Sequence, residues 1–456
     1  MSRGSPPDAP LRPGVGPLFR LAGPVVMSRL GIMAMGLVDT IVVGRHSATE
    51  LGYHALGWAP TGVVLTTSIG LLSGVQVMTS QAIGDGRPGD TGAILRRGCV
   101  YAFWIGIAAC VLLAGLGGPL MHNIGLDKGL ADGATPVLQI FALSLLPILI
   151  ADTGIFWLEA HGRAVPGMIA MWGANVVNLL LNLWLVPGNS GLGVEGAVAS
   201  GWATFASRVA LLVFVTIIIM RWAPARPLGV FAPTPREPAA ATNMRRIGYG
   251  ASVSYFTETL AFAAMSIIAG WIGALAVASW AIVLNMAALI FMVPLGLATA
   301  TGVMVGRAHG AQDPAGVRRS AKIGFGATVV VTLLICTIVA IGNGQIAAAY
   351  TREPAVQAIT AAALLLSCLF FVADGLQVVG AQSLRAQSDV WAPTATHLAS
   401  YVLVMMPLGY LFAIPMGLGV NGIVWAVIVA SLMSATLLWG RFLRLTNPRR
   451  RPRREA

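Results

Sequence analysis

The hexapeptide GLGVEG, Gly191–Gly196, returns 226 positions later as GLGVNG, Gly417–Gly422, with one substitution. The same offset pairs Gly44 with Gly270, Gly70 with Gly296, Gly84 with Gly310, Pro88 with Pro314 and Gly98 with Gly324. Apolar, Gly-rich sequence matches itself easily by chance. One unbroken offset holding at both ends of a half-chain argues instead for an internal duplication.

The duplicated unit is a set of membrane-length segments. Of the 456 residues, 56% are hydrophobic and 10% are charged, and mean hydropathy is +0.79; soluble domains carry about 25% charged residues. Apolar runs of spanning length fall at 17–43, 53–82, 98–121, 135–158, 165–187, 195–220, 248–272, 277–305, 323–347, 356–384, 393–415 and 418–443, each able to cross roughly 30 Å of hydrocarbon. Six runs per half keep both halves in one orientation, so the repeats are parallel, related by an axis along the membrane normal. The expected fold is an all-α polytopic membrane protein with twelve transmembrane helices in two six-helix lobes about a pseudo-two-fold axis. Its parts are a tail (1–16), an N-lobe (17–221), a Pro-, Ala- and Arg-rich linker (222–247), a C-lobe (248–445) and a basic tail (446–456).

The net charge of +12 lies in short loops and the C-terminal tail, without the aromatic interleaving of a nucleic-acid binder. Assigning loops to alternate sides gathers Arg87, Arg96, Arg97, Arg163, Arg221, Arg226, Arg236, Arg245, Arg246, Arg307, Arg318, Arg319, Lys322 and Arg385 on one face and leaves Arg45, Lys128 and Arg352 on the other. Positive charge marks the cytoplasmic side, so both termini are expected there, in a cell (inner or plasma) membrane. The first apolar run is too long for a signal-peptide core. The four cysteines lack CxxC spacing, and no HExxH, GxSxG or Walker loop occurs. An enzyme and an ATPase module are therefore not expected.

The acids inside the apolar runs are not duplicated. Asp39 lies in GLVDTIVVGR (Gly36–Arg45), and Asp152, Glu258 and Asp374 lie in later apolar runs; the offset sets them against Met265, Val378, Ile32 and Ile148. A carboxylate at mid-span costs roughly 2.5–3.5 kcal/mol on insertion scales. It can take up a proton, or stay ionised beside a cation, and either behaviour suits ion coupling. Asn178 and Asn182, spaced i, i+4, share a helix face with Asn175 beside them. Their amide oxygens could complete an oxygen shell for a small cation; helix packing through Asn pairs is the rival reading. Tyr255, Phe256, Phe262, Met265, Trp280, Met286, Phe291 and Met292 cluster in the seventh and eighth runs. They suit an adaptable cavity for flat organic cations, or ordinary core packing.

The pattern resembles the multidrug and toxic compound extrusion (MATE) family, in its NorM-type branch, over nearly the whole chain. The residues that carry the resemblance are VDTIVVGR with Pro24 upstream, GLGVEGAVASGWAT, IIAGWIGALAVASWAIVLN running into VPLGLATATGVMVGRAHG, and VVGAQSLRAQSDVWAPT. It implies lobes flanking a V-shaped cavity and a monomer that exports organic cation drugs or toxic metabolites in exchange for Na⁺ or H⁺, with no other cofactor. By position, Asp39 matches the family's first-helix acid, Glu258 and Asp374 its second-lobe acids, and Asn178 and Asn182 the fifth-helix polar pair. A coupling Na⁺ would then sit at Asp39/Asn178/Asn182 or at Glu258/Asp374. Glu159 and Arg29 depart from the family pattern. The alternative within the superfamily is a lipid-linked oligosaccharide flippase, which should line its interior with basic residues.

Overall fold

The protein's structure, a computed structural model, describes residues 14–123, 127–233 and 237–447. Most of the expected N-terminal tail, and the basic C-terminal tail from 448, lie outside the described residues. Among the described residues, twelve helices are long and apolar enough to cross a membrane. They are α1 (Val15–His46), α2 (Ala48–Gly84), α3 (Thr91–Asn123), α4 (Lys128–Ala160), α5 (Ala164–Leu185), α6 (Gly196–Arg221), α7 (Pro238–Ile272), α8 (Ala274–Gly310), α9 (Pro314–Tyr350), α10 (Pro354–Arg385), α11 (Trp391–Ala413) and α12 (Gly419–Thr446). Each expected span is found, and several run further than their apolar stretch. Hydropathy registers the lipid-depth part of a helix, whereas the backbone continues through polar helix formers. Thus 238–247, expected within the linker, forms the first turns of α7. Linker residues 228–230 pack on α3: the Gly92 N–H donates to Leu228 O at 2.9 Å, and Arg96 reaches the carbonyls of Gly229 and Val230.

Two compact units emerge. One comprises 27–252; the other comprises 253–447 together with 14–26, the opening of α1. In the first, α2, α3, α4 and α6 enclose a core built around Leu72, Leu138, Leu149, Ile155 and Trp157. The second has its core around Met265, Trp280, Phe370, Tyr401 and Val424.

The 226-residue repeat is visible in the backbone. A Cβ on Gly70 would stand 2.6 Å from the Cα of Ser252, and one on Gly296 would overlap Val26; Val26 and Ser252 are themselves 226 apart. Close helix approach therefore requires glycine at both mates. In GLGVEG and GLGVNG, the mates Gly191 and Gly417 have φ of +73° and +68°, and the mates Gly193 and Gly419 have φ of +68° and +57°. Gly196 has a packing reason of its own, since the Glu50 carboxylate fills the space its Cβ would occupy and accepts the Ala197 N–H at 2.8 Å, capping α6.

Two repeat positions keep the left-handed backbone after losing the glycine. Gly86 (φ +74°) and Gly162 (φ +77°) have as mates Gln312 (φ +54°) and Ser388 (φ +64°), the two non-glycine residues with positive φ among the described residues. A side chain in this region crowds the following carbonyl, which glycine avoids. Gln312→Gly and Ser388→Gly are expected to stabilise the detergent-solubilised chain by up to about 1 kcal/mol each, and Gly86→Ala and Gly162→Ala to destabilise it similarly. Melting followed by tryptophan fluorescence checks this. An unchanged midpoint in all four variants would mean that the turns carry no such strain.

Candidate cation-coupling sites

In the first unit Asp39, 3% exposed, sits in a cage made by α1, α5 and α6. Its Oδ1 accepts from Asn178 Nδ2 at 2.9 Å and Asn182 Nδ2 at 2.8 Å, and its Oδ2 accepts from the Thr204 hydroxyl at 2.6 Å. The i, i+4 spacing of the two asparagines places both amides on the α5 face toward Asp39. Their Oδ1 atoms are buried without a hydrogen-bond partner, as is that of Asn175, whose Nδ2 donates to its own helix at Met171 O. Asn175 thus stands beside the cage and makes no bond to Asp39.

Donors, not acceptors, face the carboxylate in this arrangement. That suits an ionised Asp39. Binding a small cation would require the amides to turn and present oxygen, whereas protonation at Oδ2 would leave Oδ1 to accept from both amides and would turn the Thr204 hydroxyl from donor to acceptor.

In the second unit the acids are joined by a relay. Asp374 Oδ1 accepts from Gln377 Nε2 at 3.1 Å, the same amide donates to the Tyr401 hydroxyl at 2.8 Å, and Tyr401 donates to Glu258 Oε1 at 3.3 Å. Ser434 donates to Gln377 Oε1 at 3.0 Å, so α7, α10, α11 and α12 all contribute. Tyr401 lies in a π-helical stretch, Leu398–Met405, where the Met406 N–H reaches back to Tyr401 O. Pro407 follows and cannot donate to the preceding turn, and the widened turn accommodates that gap. Arg385, expected among the loop charges, is instead the last residue of α10 and is buried, its guanidinium turned inward to lie 5.2 Å from the centre of the Tyr255 ring.

The expected cavity residues divide. Tyr255 and Phe262 flank the relay, Phe262 with its ring 6.4 Å from that of Tyr401. Met265 and Trp280 belong to the core, Met265 against Gly409 and Trp280 donating to Ser266 at 3.1 Å. Phe256 is 45% exposed, while Met286, Phe291 and Met292 are half-buried, Met286 accepting from the Tyr350 hydroxyl. Met265 and Trp280 therefore have a packing role here, and the eight do not converge on one site.

Arg29, a departure from the family pattern, pairs with the other departure. Its Nη2 lies 3.3 Å from Glu159 Oε1, and Gln76 donates to Glu159 Oε2 at 2.8 Å. The guanidinium is thereby held away from the Asp39 cage. Asp152 is fully buried, and neither of its oxygens has a hydrogen-bond partner.

Thr204, Gln377, Tyr401 and Ser434 are site residues that sequence reading missed. For Thr204 a faint signal exists in the small polar stripe Ser200, Thr204, Ser207 along α6, which is also what close helix packing needs. Thr204→Val removes one donor from a buried carboxylate and is expected to destabilise the protein by about 1.5–3 kcal/mol. Thr328→Val, whose hydroxyl only serves Gly324 O of its own helix, is expected to cost less. Unfolding of the two variants in detergent compares them, and equal costs would remove the case for a charged Asp39.

Comparison with known proteins follows the same outline. The MatE family matches residues 24–184 and again 251–411, once in each half. The chain is 51% identical over 450 residues, 99% of its length and 96% of the relative's, to a Caulobacter vibrioides protein named "Probable multidrug resistance protein NorM". It is 28% identical over 397 residues, 86% of this chain and 83% of the relative, to multidrug resistance protein PmpM of Pseudomonas aeruginosa. Among solved structures, a MATE protein in its bent conformation superimposes with a TM-score of 0.87 at 17% identity, covering 96% of this chain and 98% of that one. The eukaryotic MATE transporter AtDTX14 gives 0.85 at 18% identity, over 95% and 96%. With both halves matched and a half-identical full-length relative, the chain belongs to the MatE family of multidrug and toxic compound extrusion transporters, in its NorM-type branch.

Proposed function

We propose that this multidrug efflux transporter exchanges organic, mostly cationic compounds for inward-moving Na⁺ or H⁺ by alternating access. The observation that carries the reading is the manner in which the acids are held. Asp39 is bound by two amides and a hydroxyl, and Asp374 and Glu258 by an amide and a phenol. An acid locked to an arginine is a fixed ion pair, whereas one held by neutral dipoles that can rotate is free to trade a proton or a small cation. Ion and cationic drug then compete, directly or through the conformation each favours, and the inward-moving ion promotes release of drug outside.

The charge distribution of the loops supports an inner or plasma membrane location with both termini cytoplasmic, and the reading needs neither an ATPase subunit nor a second copy of the chain. A lipid-linked oligosaccharide flippase is less favoured. The relatives carry multidrug resistance names, and among the described residues the buried arginines Arg29, Arg208 and Arg385 are outnumbered by the buried acids Asp39, Asp152, Glu159 and Asp374.

Proteoliposomes loaded with a fluorescent cationic dye test the reading, with inward Na⁺ and inward H⁺ gradients imposed in separate runs. Dye export driven by one gradient alone is expected and names the ion. Glu258→Gln and Asp374→Asn are each expected to slow gradient-driven export about tenfold or more while folded protein remains in the membrane. Undiminished export in both variants would overturn the assignment of the second-unit acids. Failure of the wild-type chain under both gradients would overturn coupling and make lipid-linked substrates the next test.

A further inference from the structure

Buried charge in the first unit does not balance. Among its described residues, the buried carboxylates are Asp39, Asp152 and Glu159 and the buried guanidiniums are Arg29 and Arg208. Guanidinium stays protonated in proteins. Three acids against two arginines leave one negative charge, which an interior of low dielectric has to neutralise.

Hydrogen bonding indicates which acid is neutral. Asp39 has three donors, and Glu159 has Arg29 and Gln76; donors of this kind favour the ionised form. Asp152 has none, at 0% exposure. It stands on α4 between two arginine docking points. Arg208 donates to Ser144 at 2.6 Å, eight residues earlier and about 12 Å along the axis; Arg29 meets Glu159, seven residues later and about 10 Å away. Both arginines are within electrostatic reach of Asp152, yet each has other partners: Arg208 lies 5.6 Å from the Trp58 ring and Arg29 lies 5.3 Å from the Phe156 ring. The remaining titratable group buried nearby, His54, packs edge-on to Phe141 and lies within electrostatic reach of Asp39; its buried Nε2 has no hydrogen-bond partner, so an imidazolium there would leave a charged N–H unmet, and His54 is counted as neutral.

We propose that Asp152 holds the one exchangeable proton of the first unit and acts as a positioning residue for the Asp39 cage, with Arg208 as the link. Arg208 is one helical turn beyond Thr204, which bonds Asp39, and it lies within electrostatic reach of Asp39 as well as Asp152. When Asp152 gives its proton to water it becomes an anion that competes with Asp39 for this guanidinium. Positive charge is withdrawn from beside Asp39, and the cage holds a cation more tightly. Reprotonation from water reverses the effect, and by linkage a cation bound at the cage weakens the hold of Asp152 on its proton.

The inference rests on reading Asp39 as an exchange site, and the test separates the two. The chain carrying Glu258→Gln and Asp374→Asn silences the second unit. In Na⁺-free, weakly buffered detergent solution, tetraphenylphosphonium is added and released protons are counted with a pH indicator; infrared spectra record the deuterium-sensitive carbonyl stretch of a protonated carboxyl. One proton is expected from this background, and none after adding Asp152→Asn, which also loses the infrared band. Asp152→Asn with Arg208→Gln restores the one-charge excess and is expected to release one proton again, which a merely misfolded Asp152→Asn chain would not do. Asp152→Glu should keep both signals.

Release and band retained in Asp152→Asn but lost in Asp39→Asn would overturn the proposal and leave coupling at Asp39 standing. A band lost in Asp152→Asn, with no proton released from any form including the wild-type chain, would overturn coupling itself and the positioning role with it.

Discussion

A charge placed at the depth of a bilayer has to be compensated from within the protein, because no water or lipid head group is there to do it. The interior of each unit is organised by that requirement. Asp39 draws two helices onto α1 through Asn178, Asn182 and Thr204, and Glu159 fastens α1 and α2 to α4 through Arg29 and Gln76. In the second unit a single amide, Gln377, ties Asp374, Tyr401 and Ser434 together across three helices. These bonds act where the hydrophobic effect gives helices no preference between protein and lipid neighbours.

Compensation takes two forms with different consequences. Arg29 and Glu159 make a buried ion pair, which is costly to break and chemically inert. The Asp39 cage and the Asp374–Glu258 relay use neutral groups whose dipoles can be reoriented, so the charge they hold can be replaced by a proton or a small cation. Fixed pairs can anchor the helices of a unit while exchangeable acids register ion binding. Asp152 falls between the two classes, with arginines on either side and a hydrogen bond to neither.

Duplication supplied the scaffold and left the chemistry open. The mates Gly70 and Gly296, or Gly191 and Gly417, hold one backbone geometry twice, and Gln312 and Ser388 keep the left-handed turn even where glycine has gone. None of Asp39, Asp152, Glu159, Glu258 and Asp374 faces an acid across the repeat. Backbone geometry is fixed by close approach and by turn conformation, which tolerate few residues. A side chain pointing into the interior is constrained only by its immediate partners, so each half came to hold its charge in its own way. The π-helical turn before Pro407, which carries Tyr401, has no mate in α5.

The sequence by itself determined the twelve spans, their division into two repeats, and the acids worth attention, because hydrophobic length and a charge inside it are properties of consecutive residues. It also brought Asn178 and Asn182 together, since i, i+4 spacing fixes a helix face. Only the tertiary structure decided that Thr204 completes the Asp39 cage, that Gln377 and Tyr401 connect Asp374 to Glu258, that Arg29 belongs to Glu159, that Met265 and Trp280 are core, and that Asp152 stands without a donor. The hydrogen bonds among these that cross between helices join residues 24 to 165 positions apart, and Asp152 lacks one. Which side chains meet across two helices depends on helix rotation and crossing, and no periodicity within either helix encodes the other's rotation.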